Sequence, residues 1–251
     1  MSVTADQQQR ITGAAPAGAQ DEQSASRAVR EMFSSIAPRY DLLNHVLSMN
    51  VDRLWWNRTA RAFRDILQRP EAQVLDLCCG TGDMTFALHR RMRGGRILGA
   101  DFSHPMLVRA QEKSGARAIR WIEADALKLP FPDGSFHLVT AAFGFRNLAN
   151  YDRGLAEIYR VLRPGGEVGI LDFGEPQGLF GKVYRLYFRQ VLPRIGTLIS
   201  GVRGPYAYLP ASVSRFPSPE EMRQRMCDTG FRHPGWTPYT FGIAGLYRGT
   251  K

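Results

Sequence analysis

Four carboxylates recur beside apolar runs in the first half of the chain. Asp76 lies in Val74-Leu75-Asp76-Leu77, Asp83 follows Gly80-Thr81-Gly82, Asp101 closes Ile97-Leu98-Gly99-Ala100, and Asp125 ends Trp121-Ile122-Glu123-Ala124. If each run is a strand feeding a helix, all four acids gather on one sheet edge, where open α/β sheets hold their ligands. An acidic rim there suits a cationic nucleoside whose ribose hydroxyls need acceptors. A dinucleotide fits worse: its turn wants a third glycine where this chain has Thr85, and Asp83 would set a negative charge beside the pyrophosphate at the helix N-terminus.

S-adenosylmethionine, which carries a sulfonium and an ammonium, meets the requirement, and the pattern resembles the nucleotide-binding half of class I methyltransferases. The resemblance implies that Gly80, Thr81 and Gly82 run along the methionine end with Asp76 in the same rim, that Asp101 takes both ribose hydroxyls, and that Asp125 with Ala126 borders the adenine. Glycine turns and strand-end acids occur in many α/β proteins. The glycine loop, Asp101 and Asp125 in that order are what favour the methyl donor.

Three further stretches depart from a generic methyltransferase: Phe33-Ser34-Ser35-Ile36-Ala37-Pro38-Arg39-Tyr40-Asp41-Leu42-Leu43-Asn44, Phe143-Gly144-Phe145-Arg146-Asn147-Leu148 and Tyr206-Ala207-Tyr208-Leu209. With Leu192-Pro193-Arg194-Ile195-Gly196 and the closing Tyr247-Arg248-Gly249, they resemble the family of ubiquinone and menaquinone C-methyltransferases from about Met32 to the C-terminus. That resemblance implies methyl transfer to a ring carbon of a polyprenylated hydroquinone, with demethylmenaquinol favoured over the benzoquinol precursor of ubiquinone. Carbon is a poor nucleophile until a neighbouring hydroxyl ionises, so the site needs a way to form a phenolate. Arg146 can stabilise that charge and Asn147 can orient a proton-accepting water, while Tyr40, carried over from the family's Tyr-Asp motif, completes the hydrogen-bond set. Each has a plainer role open to it: a surface ion pair for Arg146, a turn or helix cap for Asn147, simple packing for Tyr40. Where many relatives have a serine after the fourth strand, this chain has Ala142, which removes one hydroxyl contact to the cofactor.

Other acceptors fit less well. Adenine amino-methylating enzymes place an Asn/Asp-Pro-Pro-aromatic turn after the fourth strand, where this chain has Ala141-Ala142-Phe143-Gly144, and cytosine C5 enzymes need a cysteine there, whereas Cys78, Cys79 and Cys227 lie elsewhere. Tyr206-Ala207-Tyr208 lacks the interleaved basic residues of a base-stacking platform, so no nucleic-acid partner is expected. Another lipophilic phenol, or a cofactor-binding scaffold without turnover, stays open. The five histidines show no ligand spacing, and no metal is expected. Cys78 and Cys79 read as packing residues of the turn.

These residues need a scaffold, and the chain supplies strands alternating with helices: strand 74–77, helix 83–92, strand 96–101, a helix begun by Ser103 and Pro105, strands 118–123 and 136–142, helix 151–162 and strand 167–173. Ser218-Pro219-Glu220-Glu221 opens a last helix, and 231–248 supplies a closing hairpin. The expected fold is α/β, a doubly wound, mainly parallel seven-stranded sheet of Rossmann-like, class I methyltransferase type. Helices over 28–36 and 40–69, broken by Pro38, precede it and carry an exposed-looking pair, Trp55 and Trp56. Residues 1–26, rich in Gln, Ala, Ser and Gly, read as a disordered tail, and 27–251 as a single domain.

With 251 residues and a formal charge of +10, the basic excess concentrates between Pro176 and Pro219, a stretch without Asp or Glu that carries Lys182, Arg185, Arg189, Arg194, Arg203 and Arg215. That stretch interrupts the alternation as a helical insertion over 174–217. Within it Leu179, Phe180, Val183, Tyr184, Tyr187, Phe188, Val191 and Leu192 repeat at helical spacing opposite Lys182, Arg185 and Arg189. A helix of that kind can lie on anionic lipid, as a bilayer-resident substrate would require, or pack on protein as a lid or in a homodimer. Without a membrane-spanning run or signal sequence the chain is expected in the cytoplasm, with peripheral contact at the inner face of the membrane.

Overall fold

In a computed structural model, which describes residues 11–16, 18–40, 50–174, 176, 181 and 204–251, the alternation becomes one seven-stranded sheet of order β3-β2-β1-β4-β5-β7-β6. β1 (Gln73–Leu77), β2 (Arg96–Asp101), β3 (Ile119–Glu123), β4 (Phe136–Ala142) and β5 (Leu162–Phe173) are parallel. β7 (Ala244–Thr250) runs antiparallel to both β5 and β6 (Arg232–Tyr239), the expected hairpin. Leu77 pairs with Ala100 on one side and Ala141 on the other, so the chain winds outward in both directions from β1. A crevice therefore opens between the carboxyl ends of β1 and β4, the switch point of a doubly wound sheet.

Helices α1 (Glu22–Ile36), α2 (Val51–Ala62), α3 (Arg64–Leu67), α4 (Asp83–His89), α5 (His104–Ser114), α6 (Tyr151–Val161), α7 (Gly204–Arg215) and α8 (Pro219–Thr229) surround the sheet. Their starts follow the local chemistry of the sequence. Asn150 caps α6 by accepting from the Arg153 amide, and Ser218 and Glu221 form a reciprocal capping box at α8. Alternation along β1 sends Leu75 and Leu77 into one apolar cluster, with α6 and α8, and Val74 into a second, with α2 and α4.

Two expectations are corrected. Trp55 and Trp56 are buried, 5% and 8% exposed, in the second cluster. They lie next to each other in sequence, yet α2 turns both inward, and Trp55 Nε1 donates to Thr240 Oγ1 at 2.8 Å. The tail boundary at Ser26 falls inside α1, which an Asp21/Ser24 capping box starts at Glu22. The Glu22 carboxylate accepts from Asn150 Nδ2 and Arg153 Nη1, both at 2.6 Å, and Ala25 is fully buried. Upstream, the Gly13 and Ala14 amides donate to the carbonyls of Ala149 and Leu148. Composition missed this because small alanines bury by fit and a carboxylate by pairing, neither of which adds large apolar area.

Residues 1–10 and 41–49, and the amphipathic stretch 179–192 apart from Gly181, lie outside the described residues. Among the described residues no helix is long and apolar enough to cross a membrane.

Candidate active site

The chain reverses sharply after β1, and the reversal shapes the site. Gly80 and Gly82 adopt φ of +54° and +89°, and Cys78, without a glycine's freedom, is held at +53°. A β-carbon at Gly82 would lie 2.6 Å from Trp121 Cη2, so the turn also needs glycine for room. Phe143, just after the adjacent strand β4, takes φ +57°. Left-handed non-glycine residues thus sit at the carboxyl ends of both strands that frame the crevice, where fold and site compete for backbone geometry.

The crevice has two lobes that share Tyr40, Cys78 and Gly80. The larger, about 640 Å³, is bordered by Phe102, Met106, Asp125, Ala126 and Leu127 beyond β2 and β3, with Ser26 and Phe33 of α1 and Asn147 to Ala149 closing it. The smaller, about 380 Å³, is bordered by Asp76, Thr81, Asp83, Trp56 and Phe143. Every residue expected to hold the cofactor except Gly82 borders one lobe or both; Gly82 forms the turn between them and α4.

The acids differ in state. Asp101 is 6% exposed and accepts the Gly80 amide on one oxygen and the Ser103 amide on the other, both at 2.9 Å; burial raises its pKa to about 6 against the pull of those bonds. The Phe102 amide contributes a further hydrogen bond, and the lone-pair capacity that remains can take a hydroxyl. Asp76 is fully buried and takes hydroxyl donors from Thr85 at 2.5 Å and Thr140 at 2.8 Å; burial, reinforced by the nearby Asp101, lifts it to about 7. Asp83 pairs with Lys113 at 2.9 Å, while Asp125 is exposed and receives the Leu127 amide. Glu123, outside the rim, pairs with Arg30 of α1. Burial and the surrounding acids push both Cys78 and Cys79 well above the usual thiol range.

The loop after β4 divides its two candidate catalytic residues. Asn147 borders the larger lobe. Arg146 borders neither lobe; it is 5% exposed, and its Nη1 bonds Asp172 at the end of β5 as well as the Phe143 carbonyl. It is thus neither a surface ion pair nor a bare cation in the cleft. Its Nε has no hydrogen-bond partner among the described residues. The Arg146 backbone is fixed too, its amide to Asp172 at 3.0 Å and its carbonyl to the Tyr151 hydroxyl at 3.0 Å. Tyr40 lies at the junction of the lobes, edge-on to Phe33 with centroids 6.1 Å apart.

Sequence reading overlooked Asp172, although it closes an apolar strand just as Asp101 does, and it gave Tyr208 no role. The Tyr208 hydroxyl reaches Asn147 Oδ1 at 3.1 Å. The tail assignment hid Ser26, and Phe33, quoted only as part of a family stretch, was given no place in the site.

A cationic nucleoside fits this arrangement: an acidic rim, a carboxylate with free lone pairs between two backbone donors, and an apolar slot beyond it. Comparison with known proteins agrees. Residues 19–251 match the profile of the ubiE/COQ5 methyltransferase family. The chain is 53% identical over 234 residues to a protein of Deinococcus radiodurans named demethylmenaquinone methyltransferase, covering 92% of this chain and 95% of that one. A protein of the same name from Thermus thermophilus is 50% identical, covering 88% and 100%. The ubiquinone/menaquinone biosynthesis C-methyltransferase UbiE of Geobacter sulfurreducens is 43% identical, covering 89% and 88%. Among solved structures, a SAM-dependent methyltransferase of Thermotoga maritima superposes with a TM-score of 0.64 at 18% identity, over 88% of this chain and 99% of that one, a likeness of fold.

Proposed function

The chain belongs to the ubiE/COQ5 methyltransferase family, and from that premise we propose that it converts demethylmenaquinol to menaquinol. The coarser activity, S-adenosylmethionine-dependent C-methylation of a quinone nucleus in menaquinone or ubiquinone biosynthesis, follows from the family and the named relatives. The naphthoquinol is favoured because two relatives, at 53% and 50% identity, carry the demethylmenaquinone name.

S-adenosylmethionine, when bound, supplies an electrophilic methyl on a positively charged sulfur. Asp101 would accept the ribose hydroxyls on its free lone pairs, Asp125 and Ala126 would border the adenine, and Gly80, Thr81 and Gly82 with buried Asp76 would face the methionine end. The acceptor carbon gains nucleophilicity when its neighbouring hydroxyl ionises, and among the described residues those that border both lobes, Tyr40, Cys78 and Gly80, include no strong base. Tyr40 at the junction and Asn147 on the wall of the larger lobe offer hydrogen bonds instead, and positioning with charge stabilisation carries the acceleration. Arg146 acts one layer back: through Asp172 and the Phe143 carbonyl it fixes the loop that presents Asn147.

The observation that carries the reading is the two-lobed acidic crevice at the β1/β4 switch point, with Tyr40 where its lobes meet and Asn147 on the wall of the larger one. A polyprenyl acceptor also gives purpose to the basic, amphipathic sequence over 179–192, and peripheral contact with anionic membrane belongs to the proposal; a homodimer packed through that stretch is the competing use. The test is incubation of purified protein with methyl-labelled S-adenosylmethionine and either demethylmenaquinol or the benzoquinol precursor. Label is expected in the naphthoquinone at the higher kcat/KM. Preference for the benzoquinol reverses the substrate assignment, and label in neither removes it.

A further inference from the structure

Helix α7 supplies one side chain to the catalytic loop: the Tyr208 hydroxyl donates to Asn147 Oδ1 at 3.1 Å. An amide carries its acceptor and its donors on opposite sides, so engaging Oδ1 decides what Asn147 presents elsewhere. Among the described residues the partner of Nδ2 is the Phe143 carbonyl at 3.5 Å, a long and weak bond that uses at most one of its two N–H groups. With Asn147 on the wall of the larger lobe, the amide nitrogen is left to serve the cleft. We infer that Tyr208 is a positioning residue, which holds the Asn147 amide with its N–H groups toward the acceptor oxygen so that Asn147 stabilises the developing phenolate as a donor.

This role rests on the quinol-methylating reading and sharpens it. A water-orienting Asn147 would use its carbonyl oxygen for the water's proton; Tyr208 already takes one of that oxygen's two lone pairs and turns the N–H side of the amide away from itself. Tyr208 suits the task because burial raises its pKa to about 12, partly countered by Arg146, so the hydroxyl keeps its proton throughout the working range. The loop is thus gripped from two sides. Asp172 and Tyr151 fix the Arg146 backbone, and α7 fixes the Asn147 side chain. It also gives α7, and with it the end of the 174–217 insertion, a direct hold on the chemical step.

The experiment compares wild type, Tyr208→Phe, Asn147→Ala and the double variant, measuring kcat with demethylmenaquinol across pH, KM, and S-adenosylmethionine affinity by calorimetry. Losing one ordinary hydrogen bond to the amide predicts a roughly tenfold fall in kcat for Tyr208→Phe, with KM and cofactor affinity within about twofold of wild type. The acid limb of its kcat profile moves to higher pH, since the quinol must ionise with less help. The double variant should be no slower than Asn147→Ala, because the hydroxyl acts only through the amide. Wild-type kcat in Tyr208→Phe, an unmoved acid limb, or additive losses overturn the role. Wild-type protein inactive on both quinols would instead overturn the functional reading beneath it.

Discussion

Arg146 and Asp172 form a buried ion pair, Nη1 to Oδ1 at 2.8 Å with the side chains 6% and 0% exposed. Asp172 also accepts the amides of Arg146 and Phe173, so one carboxylate joins the end of β5 to the loop after β4. Removing either partner strands a charge in the interior, which costs about 3–5 kcal/mol. Arg146→Ala and Asp172→Ala are therefore expected to lower the denaturation midpoint markedly as well as turnover. The discriminating variant is Arg146→Met with Asp172→Leu, which removes both charges at similar volume. Denaturant unfolding should show much of the stability restored while activity stays lost, because the loop amide and guanidinium anchors are gone. Restored activity would reduce Arg146 to a packing element.

Asp76 and Asp101 predict a pH-dependent cofactor affinity. Their folded pKa values, about 7 and about 6, stand above the unfolded value of 3.8. Folding therefore favours the neutral acids: that stabilisation is complete below about pH 4 and lost as pH rises through 6 and 7. A cationic ligand favours the ionised forms. S-adenosylmethionine affinity should strengthen by roughly tenfold or more from pH 5.5 to 8, with proton release detectable by calorimetry in buffers of different ionisation enthalpy. A flat affinity profile would show that neither acid senses the cation.

Asp76→Asn separates the two consequences of that burial. At pH 8 the variant no longer ionises a buried group, and Thr85 and Thr140 can each turn a hydroxyl to suit an amide. Thermal unfolding without ligand should shift upward, by about 2–4 °C for each kcal/mol recovered in a chain of this size, while cofactor affinity falls. Lower stability at pH 8 would mean that the carboxylate is compensated more fully than its burial implies.

Much of this was legible in the residues, and the exceptions share a cause. β2, β4, the capping box at Ser218, the helix start marked by Pro105 and the closing hairpin follow from local periodicity, capping and proline chemistry, which act over a few residues. Asp101 and Gly80 were legible because a strand-end acid and a sharp turn leave local signatures. Trp55 and Trp56 were misread because adjacent residues on an isolated helix diverge by about 100°, and only the wide cover of sheet, β4 loop and β6–β7 turn buries both. Glu22, Arg146 and Tyr208 take their roles from partners 128, 26 and 61 residues away, distances at which spacing carries no information.

Gly82→Ala tests the turn itself. The new methyl meets Trp121 at 2.6 Å, and φ +89° disfavours any side chain. Left-handed strain of about 1–2 kcal/mol plus about 1–3 kcal/mol of overpacking predicts a clear fall in melting temperature and weaker cofactor binding. Adding Trp121→Leu should recover the packing share alone. Full recovery would show that the backbone tolerates the angle.

The cysteines test the electrostatics of the crevice without any ligand. Thiols react as thiolates, so access alone is not enough. Cys78 borders both lobes and is only partly covered, yet burial first, then Asp101, Asp76, Asp125 and Asp172, hold its proton; Cys79 is buried, with Asp101 and Asp76 adding to the effect of burial. Cys227, near the end of α8, is exposed. Of the three thiols, a disulfide reagent at pH 7.5 is therefore expected to titrate one rapidly, with the other two appearing only on unfolding; Cys227→Ser should abolish the fast phase. Asp101→Asn removes the largest of the opposing charges, and a slow second phase assigned to Cys78 should then quicken, because the thiolate forms at a lower pH. A fast second thiol in the unaltered protein would mean that the crevice stabilises anions, and an acidic seat for a cationic methyl donor would be ruled out with it.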